Sequence, residues 1–255
     1  MRVTLPAIAL FLSLLPASCK RSDKDTFKHL AWMDSIKDPL LARVPDSLRY
    51  LIPILDTVLR TDQKYRSTTN PGLYSKNIAE QQRLDSVNQL TITAILDKHG
   101  WLGMKDVGII GQKAIDMTMV HAPIALKLKY YPMLIAAFRQ NKLPGETVAL
   151  YEDKMNGLLK REQYYGTQVT TFNNKRVPFP IYDLANVDAR RKMLRIIPLS
   201  NYLKMFGGTW DSLQYVQLLP ALKKEKNVSD TAPIHVDLQE IISQRVIDSL
   251  YKKHP

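Results

Sequence analysis

Residues 45–59 read PDSLRYLIPILDTVL. Within them Leu48, Leu51, Ile52, Leu55, Val58 and Leu59 recur at spacings of three and four, the repeat that lines one face of an α-helix. Pro53 falls inside the run, so the helix either kinks there or begins there. The same texture returns downstream. The pattern predicts helices over Asn77–Lys98, with Leu84, Val87, Thr91, Ala94 and Ile95 inward and Gly100 as the stop, and over Gln112–His121, Ala125–Gln140 and Gly145–Lys160. Ser67–Tyr74 and the glycine-bearing Trp101–Gly111 read as loops. One stretch breaks the helical texture. Tyr165–Tyr182 (YGTQVTTFNNKRVPFPIY) is β-branched and aromatic around Asn173-Asn174, which predicts an irregular β-hairpin. Helix resumes at Val187–Arg195, at Asn201–Phe206 behind Ser200, at Asp211–Leu222 and at Val236–Tyr251. The expected fold is therefore mainly α: a single helical domain with one small β-hairpin after the fifth or sixth helix.

Working outward to the ends gives the organisation. Residues 1–19 read MRVTLPAIALFLSLLPASC. One Arg precedes an apolar stretch from Leu5 to Leu15, and small residues lead to Cys19, the one cysteine of the 255 residues. The stretch is shorter than the roughly 20 apolar residues of a spanning helix and has the length of a signal-peptide core. It resembles a bacterial lipoprotein signal, with residues 1–18 removed and Cys19 carrying fatty acyl chains such as palmitate. The alternative is an ordinary secretory peptide with an incidental cysteine. On this reading residues 19–45 are a lipidated tether with a short helix at Thr26–Ile36. Residues 46–206 are the helical domain, with its hairpin near 165–182, and residues 207–255 are a C-terminal helical extension.

The composition, 45% hydrophobic and 24% charged, excludes collagen-like and disordered classes, and one cysteine excludes an intramolecular disulfide. Removing residues 1–18 lowers the formal charge by one, from +12 to +11. For an exported chain that excess predicts anionic lipid headgroups or an anionic envelope glycan as partners rather than nucleic acid. Lys20, Arg21, Lys24 and Lys28 beside the anchor are either a membrane-facing basic tether or a solvated linker.

No chemical motif stands out. The five histidines show no metal-ligand spacing, no GxSxG elbow occurs, and the glycines near 103–111 match no phosphate loop, so neither metal nor cofactor is expected. Two features stand above the rest. His121 shares a helical face with Met117 and Ala114 at the end of its helix, as a functional base or as a hydrogen-bonded core histidine. The run Arg161–Gln168 packs amide, phenol and hydroxyl groups between a helix and the hairpin. Gln163, Tyr165, Thr167 and Gln168 there either line a recognition pocket or secure a structural corner.

Further residues carry a family resemblance. They are Asp62-Gln63-x-x-Arg66, Leu84-Asp85-x-x-Asn88, His99-Gly100-Trp101, Val120-His121-Ala122, Ala149-Leu150-x-x-Asp153, Gln163-x-Tyr165-Gly166-Thr167-Gln168 and Val187-Asp188-x-Arg190-Arg191. Their order and spacing resemble the bacterial domain-of-unknown-function family 6624 over roughly residues 53–203. Where that family usually has Asp-Arg this chain has Asp153-Lys154, and Val120 and Pro123 flank the His-Ala pair in place of Gln and an acidic residue. The resemblance implies no activity. Short connections bring consecutive helices together, so these polar residues are expected to form one cluster, with Arg66 and Asn88 as candidates for its rim.

Two functions follow as expectations. The first is a lipid-anchored cell-envelope protein, on the outer membrane, whose domain binds a partner or ligand without chemistry. The second is a hydrolase-type enzyme with His121 as general base and Asp153 orienting it.

Overall fold

The computed structural model describes residues 38–66 and 71–237. The expected signal peptide, Cys19, the helix at Thr26–Ile36 and most of the helix at Val236–Tyr251 lie outside the described residues. Two 3-10 turns, Leu41–Arg43 and Asp46–Leu48, lead into α1, Leu51–Gln63. Pro53 sits in the first turn of α1, where its missing N–H leaves no helical bond unmade. Helices α2 (Pro71–Lys76), α3 (Ile78–His99), α4 (Met104–His121), α5 (Ile124–Arg139) and α6 (Gly145–Leu158) follow. Next come strands β1 (Val169–Phe172) and β2 (Lys175–Pro178), then α7 (Val187–Met193), α8 (Leu199–Lys204) and α9 (Ser212–Lys226). The described residues are mainly helical, with one hairpin after the sixth of their helices.

The large core joins α1, α3, α4, α5 and α6 through fully buried side chains such as Leu55, Leu59, Leu96, Ile115, Leu134 and Met155. Helix α1 packs most extensively on α4. Gly111 permits that approach, because a Cβ there would stand 3.1 Å from Leu55 Cδ1 and closer still to Val107. A smaller core holds the hairpin against α7, α8 and α9 through Phe172, Val177, Val187, Leu199, Tyr215 and Leu222. The hairpin turns at Asn173 and Asn174, both left-handed (φ 47° and 58°), the geometry of a two-residue turn whose twist matches antiparallel strands.

Four expectations need correction. Trp101–Gly111 is not a loop beyond its first residues, since α4 begins at Met104. Its glycines serve the helix: Gly103 caps it, with its N–H donating to Asp106 at 2.8 Å, and Gly108 (φ 77°) makes a kink. The Ile109 N–H freed at the kink donates to Asp38 Oδ2 at 2.6 Å. Ser67–Tyr74 is not all loop, since α2 begins at Pro71. The inward face of α3 is Gln81, Asn88, Ile92, Ile95 and Leu96, with Val87 and Ala94 exposed. Its N-terminal half faces charged groups instead of the apolar core, so hydropathy selects the wrong side. Helix α8 starts at Leu199, where Asp188 accepts the Leu199 N–H at 2.7 Å, rather than behind Ser200.

The chain after α9 runs back along α6. Ser229 N–H donates to Lys160 O, Asn156 exchanges two hydrogen bonds with Ile234, and Val236 N–H reaches Glu152 at 2.9 Å. His235 stacks on Tyr164 at 4.0 Å.

Candidate functional site

The repeat that shapes α1 also builds the site. Leu55, Val58, Leu59 and then Asp62 fall on one face, so the last turn of α1 carries a carboxylate inward, 1% exposed. Helix α4 ends at His121 beside it, and His121 Nδ1 lies 3.0 and 3.1 Å from the two Asp62 oxygens. Arg66, one turn beyond Asp62, donates to the Asp62 carbonyl at 2.7 Å and reaches its carboxylate at 3.3 Å. The same guanidinium makes a two-pronged pair with Asp85 on α3. Gln81 donates to Asp85 at 2.8 Å, and Gln63 donates to Asp62 at 2.7 Å. Burial by itself would raise the Asp62 carboxyl. The His121 hydrogen bond and the charges of His121 and Arg66 outweigh it and hold the carboxyl below its ordinary range. The site is thus backed by the Asp62 carboxylate and the Arg66 guanidinium.

His121 also lines a pocket of about 530 Å³ between α4, α6, α8 and the hairpin. Its polar wall is His121, Lys154, Thr167, Gln168, Arg176 and Tyr202. Its apolar wall is Met117, Val120, Leu150, Val169, Met205 and Phe206. With Nδ1 on Asp62, the imidazole keeps Nε2 without a partner among the described residues. Lys154 is half-buried in the wall and has no hydrogen-bond or ion-pair partner among them. Burial, and then the Arg66 charge, push its ammonium below the usual lysine range. Lys127 lies deeper, fully buried, donating to Met119 O at 2.9 Å over the Tyr151 ring. Among the described residues, no carboxylate balances either lysine.

The residues singled out from sequence divide into three groups. His121, Thr167 and Gln168 share the pocket. Arg66 lies behind it, bonded to Asp62, while Asn88 is buried, taking a hydrogen bond from Thr61 and donating to Val58 O. Asp153, Gln163 and Tyr165 are sealed, at 0%, 1% and 0% exposure. Asp153 does not orient His121: it accepts from the N–H groups of Tyr164, Tyr165 and Thr167 and from Thr167 Oγ1, all within 2.9 Å. Gln163 fixes the Gln168 and Phe179 backbones. Sequence reasoning missed Asp62 as the partner of His121 and did not single out Lys154, Arg176 or Tyr202 as pocket residues. Asp62 was visible as the next step of the α1 repeat, and Lys154 as a departure from the family pattern.

Among the described residues, no three His, Cys, Asp or Glu side chains stand close enough to hold a metal ion, and no helix is long and apolar enough to cross a membrane. No curated protein and no solved structure matches the chain. The sequence pattern of a family of unknown function (DUF6624) matches residues 56–213, a span that contains every pocket residue and the whole Asp62 network. The chain belongs to that family.

Proposed function

We propose that this protein is a lipid-anchored component of the bacterial cell envelope, on the outer membrane, whose folded domain is a binding module for an anionic ligand. The observation that carries binding is Lys154. Its ammonium stands in the wall of an open pocket with no counter-ion among the described residues, beside the cation Arg66 and near Lys127. A desolvated, unpaired cation is costly to hold unless an anion completes it. Arg176 at the rim adds a second cation that has no partner among the described residues, and His121 and Gln168 add hydrogen-bonding atoms. Support for the anchor comes from the apolar stretch Leu5–Leu15, from Cys19 four residues beyond it, and from the basic residues that follow.

Titration of the full chain with inorganic phosphate and with acetate, followed by NMR, tests binding. Lys154→Met is expected to weaken the stronger of the two at least tenfold. Equal affinity in variant and wild type overturns the reading. For the anchor, Cys19→Ala is expected to move the protein from the membrane to the soluble fraction, because stable anchoring needs more than one acyl chain. Identical fractionation overturns that part.

A second reading, hydrolase-type catalysis, is favoured by one observation. Asp62 occupies Nδ1 of His121, the arrangement that leaves Nε2 of a neutral imidazole as a base. Turnover of p-nitrophenyl acetate or p-nitrophenyl phosphate above the His121→Ala background supports it, and equal rates overturn it.

A further inference from the structure

We infer that the ligand of this pocket is a single-chain amphiphile, an acidic headgroup, carboxylate or phosphate, carried on an apolar chain. The inference rests on the anion-binding reading above and goes beyond it to the shape of the ligand. On α4, Met117 lies one turn before His121, and on α6, Leu150 lies one turn before Lys154. Residues four apart share a helix face, about 6 Å apart along the axis. His121 and Lys154 therefore each have an apolar neighbour, one turn away, in the same pocket wall.

The lip of the pocket continues that apolar surface. Met205 and Phe206, just past the end of α8, are 72% and 45% exposed. They project beside the pocket instead of into either core. Exposed apolar groups gathered at the mouth of a site that also holds unpaired cations suit a ligand with one end of each kind. A bare phosphate or acetate engages the cations alone, leaving this lip in water and most of the 530 Å³ unfilled. An acyl chain covers Met205 and Phe206 and runs along Leu150 and Met117, while its headgroup meets Lys154, with Arg176 close by. Every methylene of the chain removed from water strengthens binding about fourfold.

The test compares matched probes on the full chain by calorimetry, each below its micelle-forming concentration. Dodecanoate and dodecyl phosphate are set against acetate and inorganic phosphate, with dodecyltrimethylammonium as the cationic control. Dodecanoate is expected to bind at least about a hundredfold more tightly than acetate, as burial of four methylenes implies. A like gap is expected between the phosphates, and the better dodecyl anion identifies the headgroup. The double variant Met205→Ser, Phe206→Ser is expected to weaken the dodecyl anions about tenfold and leave the small anions unchanged. Both residues are exposed, so unchanged circular dichroism will show that the fold persists. If acetate or phosphate binds as tightly as its dodecyl counterpart, the amphiphile inference is overturned while anion binding stands. If the cationic detergent binds as well as dodecanoate, or if no anion binds at all, both are overturned.

Discussion

Asp62 and Asp153 are equally hidden from water, and both fall within the family-matched span, yet their surroundings are opposite. Asp62 is met by the Arg66 guanidinium and the His121 imidazole and backs an open pocket. Asp153 is met by three backbone N–H groups and one hydroxyl, and is sealed beneath the turn that leads into the hairpin. Burial raises the Asp153 carboxyl despite those four bonds, whereas charge lowers Asp62 despite burial. The contrast teaches that burial alone does not separate a site carboxylate from a structural one. The charge and exposure of its partners do.

The sharpest way to break the comparison is to remove Asp153. Asp153→Ala leaves three buried N–H groups without acceptors and frees the Tyr164–Thr167 turn. Each stranded donor costs about 1–3 kcal/mol, so a loss of about 4 kcal/mol is expected after partial relaxation. Urea unfolding followed by circular dichroism measures it. A loss below about 1 kcal/mol would mean that Asp153 is not the keystone of that turn.

Solution pH separates the two regions next. Glu152, sealed beside Asp153, accepts from Tyr131 and Val236 N–H, while its other oxygen has no hydrogen-bond partner among the described residues. Burial pushes its carboxyl up to about 8 from the ordinary 4.5, and burial pushes Asp116 up to about 6. The folded state then holds a proton that the unfolded chain has released. Stability from Glu152 is therefore complete below about 4.5 and is lost as pH rises through 8, at up to about 1.4 kcal/mol per pH unit. Glu152→Gln keeps the acceptor and has no proton to lose. It is expected to flatten the fall between pH 6 and 8, leaving the Asp116 contribution below it. Asp62 carries the opposite sign, because its folded carboxyl is lowered. Its contribution is present above the ordinary 3.8 and is lost as pH falls below it. Urea midpoints from pH 3 to 9 read both limbs, and an unchanged slope in Glu152→Gln would refute the assignment.

A smaller effect is expected from Asp62→Asn. Arg66 keeps its two-pronged pair with Asp85, and the amide oxygen still accepts one hydrogen bond, so the loss at neutral pH is about 2 kcal/mol. The acid limb should shrink with it. A loss as large as that of Asp153→Ala would erase the distinction between site and scaffold.

These contrasts also mark what the sequence carried. The α1 repeat was legible because every third or fourth residue is apolar, and the hairpin because two asparagines accept left-handed backbone. The face of α3 was not, since Gln81 and Asn88 turn inward toward other polar groups and hydropathy sees them as surface. Local chemistry leaves Thr167 and Gln168 open between a pocket wall and a structural corner, and both line the pocket. The partner of His121 was sought two helices later at Asp153, but it lies 59 residues earlier at Asp62. Spacing along one helix reports its own faces. Which remote carboxylate meets a histidine depends on how α1 packs across α4, and no local repeat records that.

Thr167 is where the two regions touch, and it carries the last test. Its N–H and Oγ1 both donate to Asp153, its carbonyl accepts from Tyr202, and Gln168 Nε2 reaches Oγ1 at 3.2 Å. It also stands in the pocket wall beside His121 and Lys154. Thr167→Val preserves shape and removes the hydroxyl, so Asp153 keeps its three backbone donors. Two lost hydrogen bonds, the one to Asp153 and the longer one from the Gln168 amide, predict a stability decrease of about 1–2 kcal/mol. Pocket charge is untouched, so anion affinity should stay within about twofold of wild type, against the tenfold loss expected for Lys154→Met. If Thr167→Val instead weakens anion binding as much as Lys154→Met does, the Asp153 turn is part of the recognition surface and the division between scaffold and site fails. If both stability and affinity hold steady, the hydroxyl bond to Asp153 contributes nothing measurable and the three N–H groups alone secure the turn.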